Sequence, residues 1–412
     1  MYKKQRMKTV CGFVLFAFIQ ISTAQNNNDI TWLINQIKQH PNIIAAKAQL
    51  ESSRYQATFN QQPLYNPTLE TDIEREGNDN NYSIGLSQTF DRNNKQATLI
   101  DIAQSHRKTA ALNYQIALLN KMSQALQAIN HYQAVTKQNA LLLQQEKQLE
   151  KLLALVKQRV NSGDLGQLDA ELAYLSLSQG FGQSATVEAE LKKSEAQLSE
   201  LLGNWQQQDL THFSLNDYQI KPSDALTKNH PTVKSAYSQW QQAQSQAELA
   251  KKNKKNDPSF GITAGKVAND NLVSLRFSMP LNLRRNFDSA YLAANQQVVA
   301  AESSYLATLR QQKFSIKASL DSLKAFENRY KKWRNLMQGN EGNLENLLQK
   351  QWQLGDISTT NYLLTLQQRT QGLLAGIELE QQYKAAIINY LTTTAQIINN
   401  TGSKTVLNEV SP

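Results

Sequence analysis

The sequence predicts a mostly α-helical chain with a membrane β-barrel portion, and three observations carry that prediction. The order of elements runs through twice. Each copy holds one pair of strands with an apolar and a polar face. Each copy also holds helices too long for a globular core.

The duplication is visible as landmarks at a nearly constant offset. His40-Pro41 returns as His230-Pro231, 190 residues on, and Pro67-Thr68-Leu69 returns as Pro258-Ser259-Phe260, 191 on. Ser83 and Ser274 differ by 191, and Gly180 and Gly372 by 192. Gly163, Asp164, Leu165 and Asp169 match Gly355, Asp356, Ile357 and Asn361 at 192. Self-similarity at one period marks repeated structural units. The domain reading is residues 25–220 for the first repeat and 221–402 for the second, with residues 403–412 a disordered tail.

In the first repeat, Asp29 to about Gln62 reads as helix with a break at His40-Pro41, and Pro63 and Pro67 end it. Residues 68–90 read as a β-hairpin. Leu69, Thr71 and Ile73 alternate with Glu70, Asp72 and Glu74; Tyr82, Ile84 and Leu86 alternate with Ser83, Gly85 and Ser87, around a turn at Gly77 to Asn81. From Lys95 to Ser162 there is neither Gly nor Pro, and Leu112, Ile116, Leu119, Met122, Leu126 and Ile129 step by three and four. Such a helix reaches roughly 100 Å at about 1.5 Å per residue. Arg159 leads into the turn Gly163-Asp164-Leu165-Gly166, and a return helix runs to about Leu202.

The second repeat follows the same plan. Residues 259–279 read as a hairpin around Ala268 to Asn271, with Val273, Leu275 and Phe277 on the apolar face and Arg276 on the polar one. A long helix starts at about Arg285 and is loosened at Gly339 and Gly342. The turn at 355–358 (Gly355, Asp356, Ile357, Ser358) leads to a return helix reaching about Asn400.

The chain begins as an exported protein does. Lys3, Lys4, Arg6 and Lys8 precede the apolar run Val10 to Ile21, and Ser22-Thr23-Ala24 supplies small residues for cleavage, so residues 1–24 read as a signal peptide. The one cysteine, Cys11, lies inside that segment, which leaves the mature chain without thiol chemistry or disulfides. The formal charge of +9 owes four units to the signal, and no long basic run is interleaved with aromatics, so nucleic acid is not an expected partner. No other segment is apolar over the length a membrane helix needs, so a membrane crossing falls to strands.

Four strands cannot close a barrel, and open strand edges are not tolerated in lipid. The strands are therefore shared between subunits: three copies give twelve. Leu69, Ile84, Leu86, Leu275 and Phe277 then face lipid, and Glu70, Asp72, Glu74 and Arg276 face the lumen, where the carboxylates favour cations. The helices extend from the barrel as a coiled sheath.

The duplicated order, the His-Pro openings, the proline-led strand starts and the two Gly-Asp turns resemble the TolC-like outer-membrane efflux proteins over nearly the whole mature chain. The resemblance implies a homotrimer in the outer membrane of a Gram-negative bacterium, its twelve-stranded barrel continuous with a long periplasmic helical barrel. It implies the exit channel of a tripartite efflux or type I secretion system, working with a periplasmic adaptor and an inner-membrane transporter. By the same resemblance Arg159, Gly163, Asp164, Leu165, Gly166, Gly355, Asp356 and Ile357 form the periplasmic tip that meets the adaptor. Asp169, Asn361 and Leu364 fall at the aperture, without the acidic pair that the family's type member carries after its second turn.

An enzyme needs convergent groups, and none is evident. His40, His106, His131, His212 and His230 are scattered without metal-ligand spacing. There is no phosphate-cradling glycine loop and no serine elbow. The expectation is no catalysis, no metal and no cofactor. The alternative reading is a periplasmic coiled-coil scaffold or adaptor that never enters a membrane. The strand faces separate the two.

Overall fold

The structure, a computed structural model, describes residues 31–207, 210, 225–268, 270–282, 287–337 and 344–399. The expected signal peptide, the expected tail, Arg285, and Gly339 and Gly342 lie outside the described residues. A short helix α1 (31–38) is followed by α2 (Pro41–Asn60), strands β1 (Thr68–Glu76) and β2 (Asp79–Thr89), and helices α3 (Lys95–Asn161) and α4 (Gln167–Leu202). The second repeat holds α5 (Ala225–Asn229), α6 (Pro231–Lys252), β3 (Ser259–Val267), β4 (Asp270–Ser278), α7 (Asp288–Met337), α8 (Leu344–Leu354), α9 (Thr359–Thr393) and α10 (Gln396–Asn399).

The two His-Pro openings are helix caps. His40 Nδ1 accepts from the Asn42 N–H at 3.2 Å and His230 Nδ1 from the Thr232 N–H at 3.3 Å, with proline at the first helical position of each. Proline there loses nothing, because its missing N–H is one of the helix's unpaired donors. Among the described residues no group of His, Asp or Glu could hold a metal ion, and no helix is long and apolar enough to cross a membrane.

The 67 residues of α3 pack against α4, α6, α9 and α2, and two apolar cores form along it. The larger gathers Leu118, Leu119, Met122, Leu126 and Ile129 of α3 with Leu33 and Ile37 of α1, Ile43 and Leu50 of α2, Leu198 of α4, Leu323 of α7 and Ile388, Tyr390 and Leu391 of α9. The smaller lies at the far end of the hairpins and is described with the tip. By contrast, α7 buries only Ser319 and Leu323 along its 50 residues and exposes Leu292, Val299 and Leu306, which recur every seventh position.

One contact fixes how closely α7 and α9 approach. A Cβ at Gly376 of α9 would stand 1.9 Å from Trp333 Cζ2 of α7, so the indole lies directly on bare helix backbone. Trp333 also stacks on Tyr330, which stacks on Tyr383. Gly376→Ala is expected to destabilise the α7–α9 pair by about 1–3 kcal/mol, the usual penalty of overpacking, even though alanine is the better helix former. A lowered thermal midpoint, with Gly372→Ala unchanged or raised, is the check, since nothing lies within 4 Å of a Cβ at Gly372.

The strands form one antiparallel sheet in the order β1-β2-β3-β4. The first hairpin turns on two residues, 77–78, tighter than the sequence suggests, and β2 and β4 start earlier than expected, at Asp79 and Asp270. Gly77 (φ +62°) and Ala268 (φ +54°) supply the left-handed backbone that such turns need. The second return helix is also shorter than expected. Ser358 is its N-cap and Thr359 its first residue, and it stops at Thr393 rather than near Asn400. The hydroxyls of Thr392, Thr393 and Thr394 bond back to the carbonyls of Ile388, Asn389 and Tyr390 at 2.7, 2.9 and 2.7 Å, which competes with helix geometry, and Ala395 turns left-handed at φ +55°.

Candidate functional site: strand faces, barrel root and helical tip

Register places most of the apolar residues of the four strands on one face; Val267 and Leu272, beside the second turn, fall on the other. Leu69 pairs with Leu86, Ile73 with Tyr82, Leu86 with Ile262, Ile262 with Leu275, and Phe260 with Phe277. Leu69, Ile84, Leu86, Leu275 and Phe277 are all more than half exposed, Leu275 at 85%. At its helix-side border Phe90, Phe260 and Phe277 form a ring cluster with centroids 5.9 and 5.2 Å apart. Strands of nine to eleven residues match the reach of a tilted membrane strand, about 9–11 residues.

The opposite face is polar. Glu70, Asp72 and Glu74 of β1 lie on it, as do Ser83, Gly85 and Ser87 of β2, Gly261, Thr263 and Gly265 of β3, and Ser274 and Arg276 of β4. The glycines are needed where β2 meets β3. A Cβ at Gly265 would fall 2.2 Å from the Tyr82 carbonyl oxygen, and one at Gly85 2.6 Å from Thr263 Oγ1. Adjacent strands crowd on this side, so the sheet bends toward its polar face. Ser87 Oγ donates to Glu70 Oε1 at 3.0 Å, Ser83 Oγ to Asp72 Oδ2 at 3.2 Å, and Arg276 Nη1 to Glu70 Oε2. Edge strands β1 and β4 have no partner strand within the described residues.

Below the sheet, a clasp joins the two repeats. Lys95 Nζ, at the start of α3, donates to Asp257 Oδ2 at 2.9 Å and to the Lys255 carbonyl at 3.0 Å. Tyr65 Oη donates to the same carboxylate oxygen at 2.7 Å, and Asn93 Nδ2 lies 3.4 Å from the other. Both charged side chains are buried, 11% and 4% exposed. Burial pushes Asp257 up, but the hydrogen bonds from Lys95 and Tyr65 outweigh it and hold the carboxyl below its ordinary range. Tyr65 is pushed up to about 12 by burial and by its bond to that carboxylate. Sequence reading does not find this clasp: Lys95 and Asp257 are 162 positions apart and belong to no motif.

At the opposite end of the helices the two Gly-Asp turns are built alike. Gly163 (φ +79°) and Gly355 (φ +83°) end α3 and α8 in the left-handed region. The Gly163 and Asp164 N–H groups donate to the Val160 and Arg159 carbonyls at 3.1 and 2.9 Å; those of Gly355 and Asp356 donate to Trp352 and Gln351 at 3.1 and 2.9 Å. Both are Schellman closures, in which only glycine adopts the required backbone without strain. The helices that follow are capped differently. In the first turn the Asp169 carboxylate accepts from the Gly166 N–H at 3.3 Å; in the second, Ser358 Oγ accepts from the Asn361 N–H at 3.2 Å. Each copy keeps one half of a capping box.

The turns meet. Arg159 Nη2 donates to the Gln353 carbonyl at 2.7 Å and Nη1 to the Trp352 carbonyl at 3.4 Å, and the guanidinium lies 4.8 Å from the Trp352 ring centre. A cation there also faces the negative end of α8. Trp352 is buried, stacks on Tyr362 with centroids 5.6 Å apart, and donates its indole N–H to Thr359 Oγ1 at 3.2 Å. Around it lie Leu149, Leu152, Val156, Leu177, Leu348 and Leu366, with Leu165 and Ile357 packed at the margin. Asp164, Asp356 and Asn361 are exposed, as is Leu364 at 50%. Arg159, Leu165 and Ile357 lie at the same end of the hairpins, and Arg159 is spent on the other turn, which the sequence reading does not foresee. Asp169 and Asn361 are each tied to their own turn.

Together these features make a four-stranded antiparallel sheet with one apolar and one polar face, carried on two long helical hairpins. The family described as outer membrane efflux protein matches residues 32–204, which is the first repeat. Solved structures extend the likeness of fold to most of the chain. The CmeC outer membrane channel of Campylobacter jejuni superposes with TM-score 0.74 at 14% identity, over 92% of this chain and 89% of its own. VceC from Vibrio cholerae gives 0.72 at 14%, over 90% and 96%, and the open-state MtrE channel of Neisseria gonorrhoeae 0.73 at 12%, over 89% and 88%. No curated protein matches by sequence. The first repeat thus matches the outer membrane efflux protein family, and the chain shares the fold of these outer-membrane channels over 89–92% of its length.

Proposed function

We propose that three copies of this chain close a twelve-stranded barrel and act as the passive exit duct of a tripartite efflux or type I secretion machine. The observation that carries this reading is the sheet. Its apolar face is exposed across all four strands, and its edge strands β1 and β4 have no partner strand among the described residues. In lipid both features demand further strands, and a symmetric assembly supplies them. The exposed heptad face of α7 gives the helices a seam for the same assembly. A scaffold that stays in water has no use for so large an apolar surface.

In this reading Leu69, Ile84, Leu86, Leu275 and Phe277 face lipid, and Glu70, Asp72, Glu74 and Arg276 face the lumen. The duct catalyses nothing. A periplasmic adaptor docks at the tip formed by Arg159, Gly163, Asp164, Leu165, Gly166, Gly355, Asp356 and Ile357, and an inner-membrane pump supplies the energy. Asp169, Asn361 and Leu364 stand nearest the aperture. The mass of the complex extracted in mild detergent tests the assembly: three processed chains support it, and a water-soluble monomer or dimer removes it.

The tip has its own test. Proline holds φ near −65°, incompatible with +79° at Gly163 and +83° at Gly355. Gly163→Pro and Gly355→Pro are expected to abolish efflux of a dye or drug while the trimer remains in the outer membrane. Loss of insertion in these variants would contradict the separation of tip from barrel.

A further inference from the structure

We propose that Arg276 and Glu70 form a charged shelf across the inside of the barrel and set its preference between cations and anions, a proposal that rests on the channel reading above. Glu70 is on β1 and Arg276 on β4, the two edges of the sheet. Their side chains nevertheless meet, so the pair spans the bend of the sheet as a chord spans an arc. The bend brings the edges toward each other on the polar side, and the floor between them is low. Arg276 lies in register with Gly261, Glu70 with Gly85, and Ser87 and Thr263 complete the central rows. Both oxygens of Glu70 are engaged, one by Arg276 and one by Ser87. The pair is only half-buried, so it faces an aqueous space rather than a core.

The other charges of the strands give the shelf its meaning. Asp72, Glu74 and Asp270 alternate onto the same face, nearer the hairpin turns, whereas Arg75 and Lys266 alternate onto the apolar face. Arg276 is thus the one cation that these described strands place on the polar face. The level of the shelf is neutral while both partners are present, and the levels beyond it are acidic. Without Arg276 the acidic field extends down to Glu70. Without Glu70 a ring of guanidinium groups, one from each copy, stands across the path. Three shelves at one level also narrow the lumen there.

The mature chain is expected to be free of cysteine, so one introduced thiol reports the local potential even while the tip is closed. Ser274→Cys places it on the polar face beside the shelf, and Leu275→Cys places a control on the apolar face. Full-length protein in isolated outer membranes is treated with a cationic and an anionic methanethiosulfonate of similar size, and the ratio of their rates is read. In the Ser274→Cys background Arg276→Gln is expected to raise the cation-to-anion ratio about fivefold and Glu70→Gln to lower it by a similar factor, as a unit charge roughly 8 Å away in water acts oppositely on the two reagents. The double variant is expected to return near the starting ratio, which separates charge from misfolding. Unchanged ratios in both single variants overturn the shelf. Leu275→Cys reacting in membranes as fast as Ser274→Cys overturns the channel reading, and the shelf with it.

Discussion

Leu275→Arg is expected to remove the protein from the outer membrane. Leu275 lies mid-strand in β4, pairs with Ile262 and presents its side chain outward. An arginine on the lipid face of a barrel strand costs about 2–4 kcal/mol near the midplane, and a trimer meets that cost three times over. The neighbouring position already carries the same charge at Arg276, on the other face, so arginine in β4 is not in itself the obstacle. The readout is the amount of heat-resistant trimer in outer-membrane fractions, which should fall to a small remainder. Normal assembly of this variant would return the scaffold reading to favour.

The second large effect is expected at the barrel root. Asp257→Ala leaves the Lys95 ammonium buried without its counter-charge and takes the acceptor from Tyr65. Breaking a buried pair on one side costs about 3–5 kcal/mol, whereas replacing both partners by apolar groups is often close to neutral. Asp257→Ala is therefore expected to lower the unfolding midpoint strongly, and Lys95→Met with Asp257→Leu to recover most of the loss. The same site sets a pH dependence. The folded Asp257 holds its proton less tightly than an unfolded aspartate, so its stabilisation is complete above the unfolded value near pH 4 and disappears as pH falls through the lower folded value. Glu380 acts in the same direction. Burial raises it, but Lys137 and Lys384, at 2.7 and 2.8 Å, prevail and hold it low. Acid unfolding should begin below about pH 4, and Asp257→Ala should flatten that limb of the stability curve.

Much of this was legible in the sequence, for identifiable reasons. Strand faces follow a period of two, so assigning Leu69 or Ile84 to one side needs only local alternation. The turns at Gly163 and Gly355 are legible because a positive φ selects glycine and the duplication prints the same solution twice. What stayed hidden depends on residues far apart in the chain. Lys95 with Asp257, Arg159 with Trp352 and Glu70 with Arg276 each join the first repeat to the second, across 162, 193 and 206 positions. No periodicity carries such information. The break at Ala395 was hidden for another reason. Three consecutive threonines sit within a strongly apolar helical pattern, and their bonding back to the helix carbonyls is a local competition that the apolar spacing masks.

Two of those long-range ties stand at opposite ends of the helices, the Lys95–Asp257 clasp at the root and the Arg159–Trp352 contact at the tip. Mechanically the protomer is a pair of slender rods pinned together at both extremities. Rods so pinned share any load applied at one end, and they cannot shear past each other without releasing a pin. The root pin is buried and doubly hydrogen-bonded; the tip pin is partly open to water and rests on two backbone carbonyls and a ring face. Under torque the pin that is open to water is expected to yield first, so any parting of the hairpins should begin at the tip, against the apolar cluster around Trp352.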